Sequence, residues 1–174
     1  MGNLNEAKIM KPLTSGSDAP DFTLKSPDGV LVNLKTALAA GPAVVVLLPD
    51  ITHQDSISVV ENFRDDFNEF KALRASVITV IRAPDEDVGR LHSEHELPFP
   101  IFSDKTGEIF RKFKSLDGLL VKKPRKYACV VNTDGRITKA FRSVDANKLS
   151  RQTLYALRDQ MGRSALHNRK QVEL

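Results

Sequence analysis

The spacing of apolar residues changes from segment to segment along this chain, and each change marks an element. Ala43 to Leu48 is apolar without interruption, the pattern of a central strand covered by helices on both faces. From Ser56 to Arg74 the period becomes helical. Ile57, Val60, Phe63, Phe67 and Phe70 recur three or four residues apart, with Arg64, Asp65, Asn68, Glu69 and Lys71 between them. This predicts an amphipathic helix with one buried stripe. Ser76 to Ile81, Tyr127 to Val131 and Ile137 to Phe141 are further apolar, β-branched runs and read as strands.

Turn chemistry divides these runs. Ser26-Pro-Asp-Gly29 separates short strands over Asp21–Leu24 and Val30–Leu34, and Asn132-Thr-Asp-Gly135 joins the last two strands. Proline presets one turn dihedral and glycine accepts the closing one, so both are hairpin signals. Pro84-Asp85 opens a polar helix reaching about His95, where Pro98 and Pro100 stop it. Asp85, Glu86 and Asp87 suit that helix's first turn, where acids complement the dipole. Phe99 to Phe102 reads as a brief edge strand and Gly107 to Phe113 as a short helix. Asn147 is expected to cap a final helix, with Leu149, Leu154, Leu157 and Met161 as its apolar contacts. Lys114 to Lys123 is weakly patterned and reads as a loop.

The order β-β-β-α-β-α-β-α-β-β-α predicts an α/β domain: a central mixed sheet flanked by helices on both faces, with an N-terminal β-hairpin. Residues 1–17 read as a loosely held arm. Residues 1–12 are assigned to the arm, 13–162 to the folded domain and 163–174 to a basic tail.

Composition narrows the function classes. The chain has 174 residues, 41% hydrophobic and 28% charged, which fits one globular domain. No apolar run approaches the ~20 residues of a membrane span. Met1 to Lys11 lacks the apolar segment of a secretory signal. Glu6 stands where a myristoylation motif takes Ser or Thr. The net charge of +4 is interspersed, so neither nucleic acid nor membrane is an expected partner. Arg163, His167, Arg169 and Lys170 make the one local bias. The single cysteine, Cys129, excludes an internal disulfide and a cysteine-only metal site, and a reducing cytoplasm is the expected compartment.

The chain resembles the peroxiredoxin family, also called the alkyl hydroperoxide reductase and thiol-specific antioxidant family. The resemblance rests on Ala19-Pro-Asp-Phe-Thr-Leu24, the strand ending at Pro49, Phe63 seven residues past Ser56, Phe99-Pro-Ile-Phe-Ser-Asp104 and Val130-Val-Asn-Thr-Asp-Gly135. It covers about residues 13 to 160 and implies a thioredoxin-like fold. The family's active loop reads Pro-x-x-x-Thr-x-x-Cys, with an arginine from a later strand. Laid on this chain, Pro49 matches the proline, His53 falls at the threonine and Ser56 at the peroxidatic cysteine. Lys126 falls at the arginine, with Arg125 beside it.

Each departure changes the chemistry. The family reaction needs a thiolate at a helix N-terminus that attacks a peroxide oxygen and becomes a sulfenic acid. A serine hydroxyl stays protonated without a strong base and has no sulfenate state. Lysine keeps the positive charge but loses the planar fork of arginine. Asp50 and Asp55 flank the position, and carboxylates disfavour an anion at residue 56. The expected function is therefore a peroxiredoxin-like protein without cysteine-dependent peroxidase activity, acting in small-ligand binding or regulation. Its site is expected at Pro49, His53, Ser56, Lys126 and Arg125, holding a small anion or peroxide-like ligand, with no cofactor and no metal. The alternative is a thiol peroxidase in which Ser56 is an engineered replacement of the catalytic cysteine. A designed change would leave the threonine and arginine positions intact, and here they differ too. The family's habit of pairing through sheet edges or active-site loops implies a homodimer.

Other constellations read as ordinary structure. His53, Asp55 and Ser56 have the residue types of a hydrolase triad but lie in one short loop without a nucleophile elbow. His92 and His95 lack further ligands for a metal, and their helix reads as a solvated face. Cys129 sits mid-strand, where a free cysteine packs as a small hydrophobe.

Overall fold

A computed structural model describes residues 11–117 and 123–172. The first ten residues of the expected arm, the middle of the Lys114–Lys123 loop and the last two residues lie outside it.

The N-terminal hairpin forms as a separate two-stranded sheet, β1 (Thr23–Lys25) against β2 (Leu31–Asn33). Asn33 then caps a helix that the pattern did not announce, α1 (Leu34–Ala40), by accepting a 2.8 Å hydrogen bond from the Thr36 N–H. Leu34, expected to end the second strand, instead begins α1 and is buried with Leu38, one turn on.

β3 (Ala43–Leu48) is buried at every position and is the middle strand of a five-stranded sheet. Its neighbours are β4 (Ser76–Ile81), parallel, and β8 (Tyr127–Val131), antiparallel. β5 (Ile101–Ser103) and β9 (Ile137–Phe141) are the two edges. The sheet is therefore mixed, as the element order required.

The helices divide between its faces. α2 (Gln54–Asp65), α3 (Phe67–Ala72), α4 (Asp85–Glu94) and α6 (Ala146–Val172) bury Val60, Phe63, Phe70, Leu91 and Leu154 against Val44, Val46 and Leu48. On the other face α1 and α5 (Glu108–Lys112) bury Leu38 and Phe110 against Ala43, Val45 and Leu47. The two-residue alternation of β3 thus feeds two separate cores.

Several expectations need correction. The predicted helix over Ser56–Arg74 begins at Gln54 and is broken at Asp66 into α2 and α3. Asp66 is buried there and accepts hydrogen bonds from Ser150 Oγ at 2.7 Å and Arg151 Nη2 at 2.8 Å, so the break ties the α2–α3 junction to α6. The start of α6 is held by Asp145, whose carboxylate accepts from the Asn147 N–H at 2.8 Å; Asn147 lies inside the helix. Met161 is exposed, and α6 runs on through the basic segment to Val172. Residues 13–17 are held. Gly16 donates to the Ile137 carbonyl at 2.8 Å and Ile137 donates to the Ser17 carbonyl at 2.9 Å, along the edge of β9. Two residues at each end of the described part of the Lys114–Lys123 region also pair, as β6 (Leu116–Asp117) with β7 (Lys123–Pro124).

Thr79 Oγ1, between Val46 and Ile101 in the sheet, is the one buried side-chain polar atom without a hydrogen-bond partner among the described residues. Thr79→Val replaces that desolvated hydroxyl with a methyl of similar size. We expect it to raise unfolding free energy by about 1 kcal/mol in urea titration, where a loss would show that the hydroxyl is satisfied.

Candidate functional site

The loop between β3 and α2 places the residues singled out from the sequence. Pro49 ends the strand and is half-buried. Asp50 follows and organises the turn. Its Oδ1 accepts from the Thr52 N–H at 2.9 Å and the His53 N–H at 2.8 Å, and its Oδ2 lies 2.7 Å from His53 Nδ1. Burial works against charge on Asp50, but these hydrogen bonds outweigh it and hold the carboxyl below its ordinary range. An internal carboxylate therefore already occupies two backbone donors at the mouth of α2.

His53 is the N-cap residue of α2, and its side chain makes no cap hydrogen bond. The side chain is 78% exposed and turned to Asp50. Ser56 is the third helical residue and only 3% exposed; its N–H donates to the His53 carbonyl at 3.1 Å. It shares the buried side of α2 with Val59, Val60 and Phe63. The imidazole that a triad would aim at the hydroxyl is bonded to Asp50 instead. Asp55 is exposed in the first turn. Ser56 thus has the position of an N-terminal helical nucleophile without a base behind it.

Lys126 arrives from the neighbouring strand. β3 and β8 pair with Leu47 opposite Tyr127, so the next step of that register sets Lys126 opposite Leu48, one residue before Pro49. Arg125 is exposed; its N–H donates to the Ser115 carbonyl at 3.0 Å, and its carbonyl accepts from Ser115 Oγ at 2.9 Å. Lys126 and Arg125 line a cavity of about 420 Å³ whose described lining includes none of Pro49, His53 and Ser56. The structure therefore places the candidate residues in two groups at one end of the sheet. One group is the α2 loop, the other the basic cavity.

Arg142 and Ser143, which share that cavity, were not foreseen. The signal was available in the predicted β8–β9 hairpin. Ala128 pairs with Phe141, so continuing outward sets Arg142 opposite Tyr127 and Ser143 opposite Lys126.

Cys129 is fully buried, and burial pushes its thiol up to about 12, against hydrogen bonds from Tyr127 and the Val45 backbone. It belongs to the core shared with α1 and α5, whereas α2 packs on the opposite face of the sheet. The thiol therefore cannot reach the α2 loop and is protonated at neutral pH. We expect the native protein to show no reaction with Ellman's reagent within minutes and one equivalent of thiol per chain in denaturant. Rapid labelling of the native protein would contradict this burial.

His92 and His95 do not converge on a shared metal position. His92 interacts electrostatically with Asp28 of the hairpin turn, while His95 Nδ1 lies 3.0 Å from Glu61 of α2 and the His95 carbonyl accepts from Arg64. His95 is thus a docking contact between α4 and α2 rather than part of a solvated face. No group of three or more metal-ligating side chains is present among the described residues.

A central mixed sheet with helices on both faces and a separate N-terminal hairpin define a thioredoxin-like domain. The AhpC/TSA family profile matches residues 15–140, and the chain belongs to that family. It is 25% identical over 138 residues to the chloroplastic peroxiredoxin Q of Sedum lineare, across 79% of this chain and 74% of that one. It is 26% identical over 137 residues to peroxiredoxin Bcp of Escherichia coli (strain K12), across 76% and 87%. The crystal structure of peroxidoxin BcpB from Mycobacterium tuberculosis superposes with a TM-score of 0.78 at 24% identity, covering 84% of this chain and 97% of that one. The bacterioferritin comigratory protein of Xanthomonas campestris gives a TM-score of 0.74 at 19% identity, covering 80% and 91%. At those identities the structural likeness speaks for the fold. No helix among the described residues is long and apolar enough to cross a membrane.

Proposed function

We propose that this AhpC/TSA-family protein carries serine at the peroxidatic position, lacks cysteine-dependent peroxidase activity and acts by binding a small ligand or in regulation. One observation carries the reading. The sole thiol is buried on the face of the sheet opposite α2, while the helix start that would need a thiolate bears Ser56. A hydroxyl in that place, without a base, neither attacks peroxide nor stores an oxidised sulfur state. The relatives named peroxiredoxin support the alternative of a thiol peroxidase with Ser56 engineered in place of cysteine. His53 and Lys126, at two further family positions, weigh against it, because a single designed change would have left those alone.

The ligand in this reading is a small anion or a peroxide-sized molecule seated at Pro49, His53 and Ser56, with Lys126 and Arg125 supplying charge. The first N–H groups of a helix have no partner inside it, and with Asp50 holding those of Thr52 and His53, the amides of Gln54 and Asp55 are the donors left to a ligand. The compartment is a reducing cytoplasm. The homodimer implied by the family pairs through a sheet edge or through the active-site loops, and sedimentation equilibrium reads the oligomeric state directly. The binding role is tested by adding acetate to the isotope-labelled full chain. The expected result is shifts in the amides of residues 53–57 that are lost in Lys126→Gln; unmoved amides would overturn the role.

A further inference from the structure

We propose that the cavity at the open end of the β8–β9 hairpin binds a small phosphate-bearing molecule with at least two negative charges, gripped by Lys126, Arg142 and Arg125. Its described lining is Arg125, Lys126, Arg142, Ser115 and Ser143 with Pro12 and Leu116, a set of three cations and two hydroxyls with no carboxylate. The cations come from different chain segments. Arg125 and Lys126 precede β8, and Arg142 follows β9; the hairpin register brings them to the same end of the sheet.

Several of the chain's other cations are paired, while others, Lys25, Lys71 and Lys139 among them, have no ion pair among the described residues. Arg64, Arg90, Lys112, Arg136, Arg151, Arg158 and Arg163 each lie within ion-pair distance of a carboxylate. Lys126 and Arg142 have no such partner among the described residues, although each stands beside another cation. Like charges held together repel, and a bound anion removes that cost. Tyr127, next to Lys126 in the chain and opposite Arg142 in the register, is buried, and its hydroxyl donates to the Leu13 carbonyl at 3.1 Å.

The chemistry selects phosphate over a lone carboxylate. An arginine fork takes two oxygens at once, lysine adds a point charge, and the Ser143 hydroxyl, across from Lys126, supplies a further donor. Oxygens that point in several directions satisfy donors on several sides. A volume of about 420 Å³ exceeds that of a bare phosphate, and the Leu116 and Pro12 wall suits a small organic group attached to it. Arg142 and Ser143 are exposed, so the ligand enters from solvent and its affinity falls with salt.

This inference rests on the proposed binding role only through Lys126, and it stands whether or not Ser56 replaces a catalytic cysteine. Isothermal titration of the full-length chain with pyrophosphate at low ionic strength tests it. We expect one saturable site, weakened about tenfold or more in Arg142→Gln and less in Arg142→Lys, which keeps the charge and loses the fork. Raising the salt is expected to weaken binding further, and succinate is expected to bind more weakly than pyrophosphate. No binding, binding indifferent to Arg142→Gln in a variant with an unchanged circular-dichroism spectrum, or equal binding of succinate would overturn the assignment. Pyrophosphate binding without acetate-induced shifts in residues 53–57 sinks the α2-loop role and leaves the cavity; the reverse pattern sinks the cavity alone.

Discussion

Phe63→Ala is expected to cost the fold about 3–5 kcal/mol. The ring has no exposed surface, stacks on Phe70 with centroids 5.2 Å apart at 17°, and joins α2 to Val44, Val46 and Leu48 of the central strand. Truncation removes the apolar area and leaves a void between a strand and helices fixed by their own hydrogen bonds, so little collapse can refill it. For a chain of this size the loss corresponds to a fall in melting temperature of roughly 6–20 °C. A thermal melt that moves by less than about 3 °C would contradict this packing. The effect reaches the site, because Ser56 lies on the same buried side of α2 and is positioned by it.

Ser56→Cys is expected to yield a thiol that peroxide oxidises at a rate within about tenfold of free cysteine, not a peroxidase. Two influences oppose each other at that position. The start of α2 favours a negative charge at residue 56. Asp50, held in its charged form by the Thr52 and His53 amides, together with Asp55 in the first turn, disfavours one. The His53 ring is engaged with Asp50, and Lys126 offers a point charge where a planar fork would hold a peroxide against the sulfur. The new thiol is also nearly enclosed, as the 3% exposure of Ser56 indicates. Stopped-flow kinetics with hydrogen peroxide would measure the rate. Rapid catalytic turnover in the variant would mean that the surrounding machinery is intact and that the substitutions at residues 53 and 126 are harmless.

The sequence made parts of this legible because local and global preferences agreed there. Ala43–Leu48 is apolar at every position because both faces of β3 are covered, and the turns at Gly29 and Gly135 adopt the positive φ values of 93° and 82° that their glycines permit. The placement of Ser56 in the first turn of a helix followed from the change of period after Pro49. What escaped depended on partners distant in sequence. The break at Asp66 is secured by Ser150, 84 residues away, and nothing in the Phe63–Phe67–Phe70 spacing announces it. α1 is hidden because Leu34 continues the apolar pattern of the strand before it, although Asn33 carries the capping signal. Asp145 and Asn147 are both residue types that cap helices, and only the geometry separates them. The site split in the same way. The α2 loop was readable as one segment, whereas the basic cavity needed the hairpin register to bring Arg142 to Lys126.

A chain whose sole sulfhydryl is sealed behind the sheet is not expected to carry out thiol redox chemistry. Peroxide consumption by the purified, unaltered protein, with a dithiol reductant in excess, tests this most directly. Disappearance of peroxide at the rate of the reductant alone is the predicted result. Saturable consumption that scales with protein concentration would contradict it.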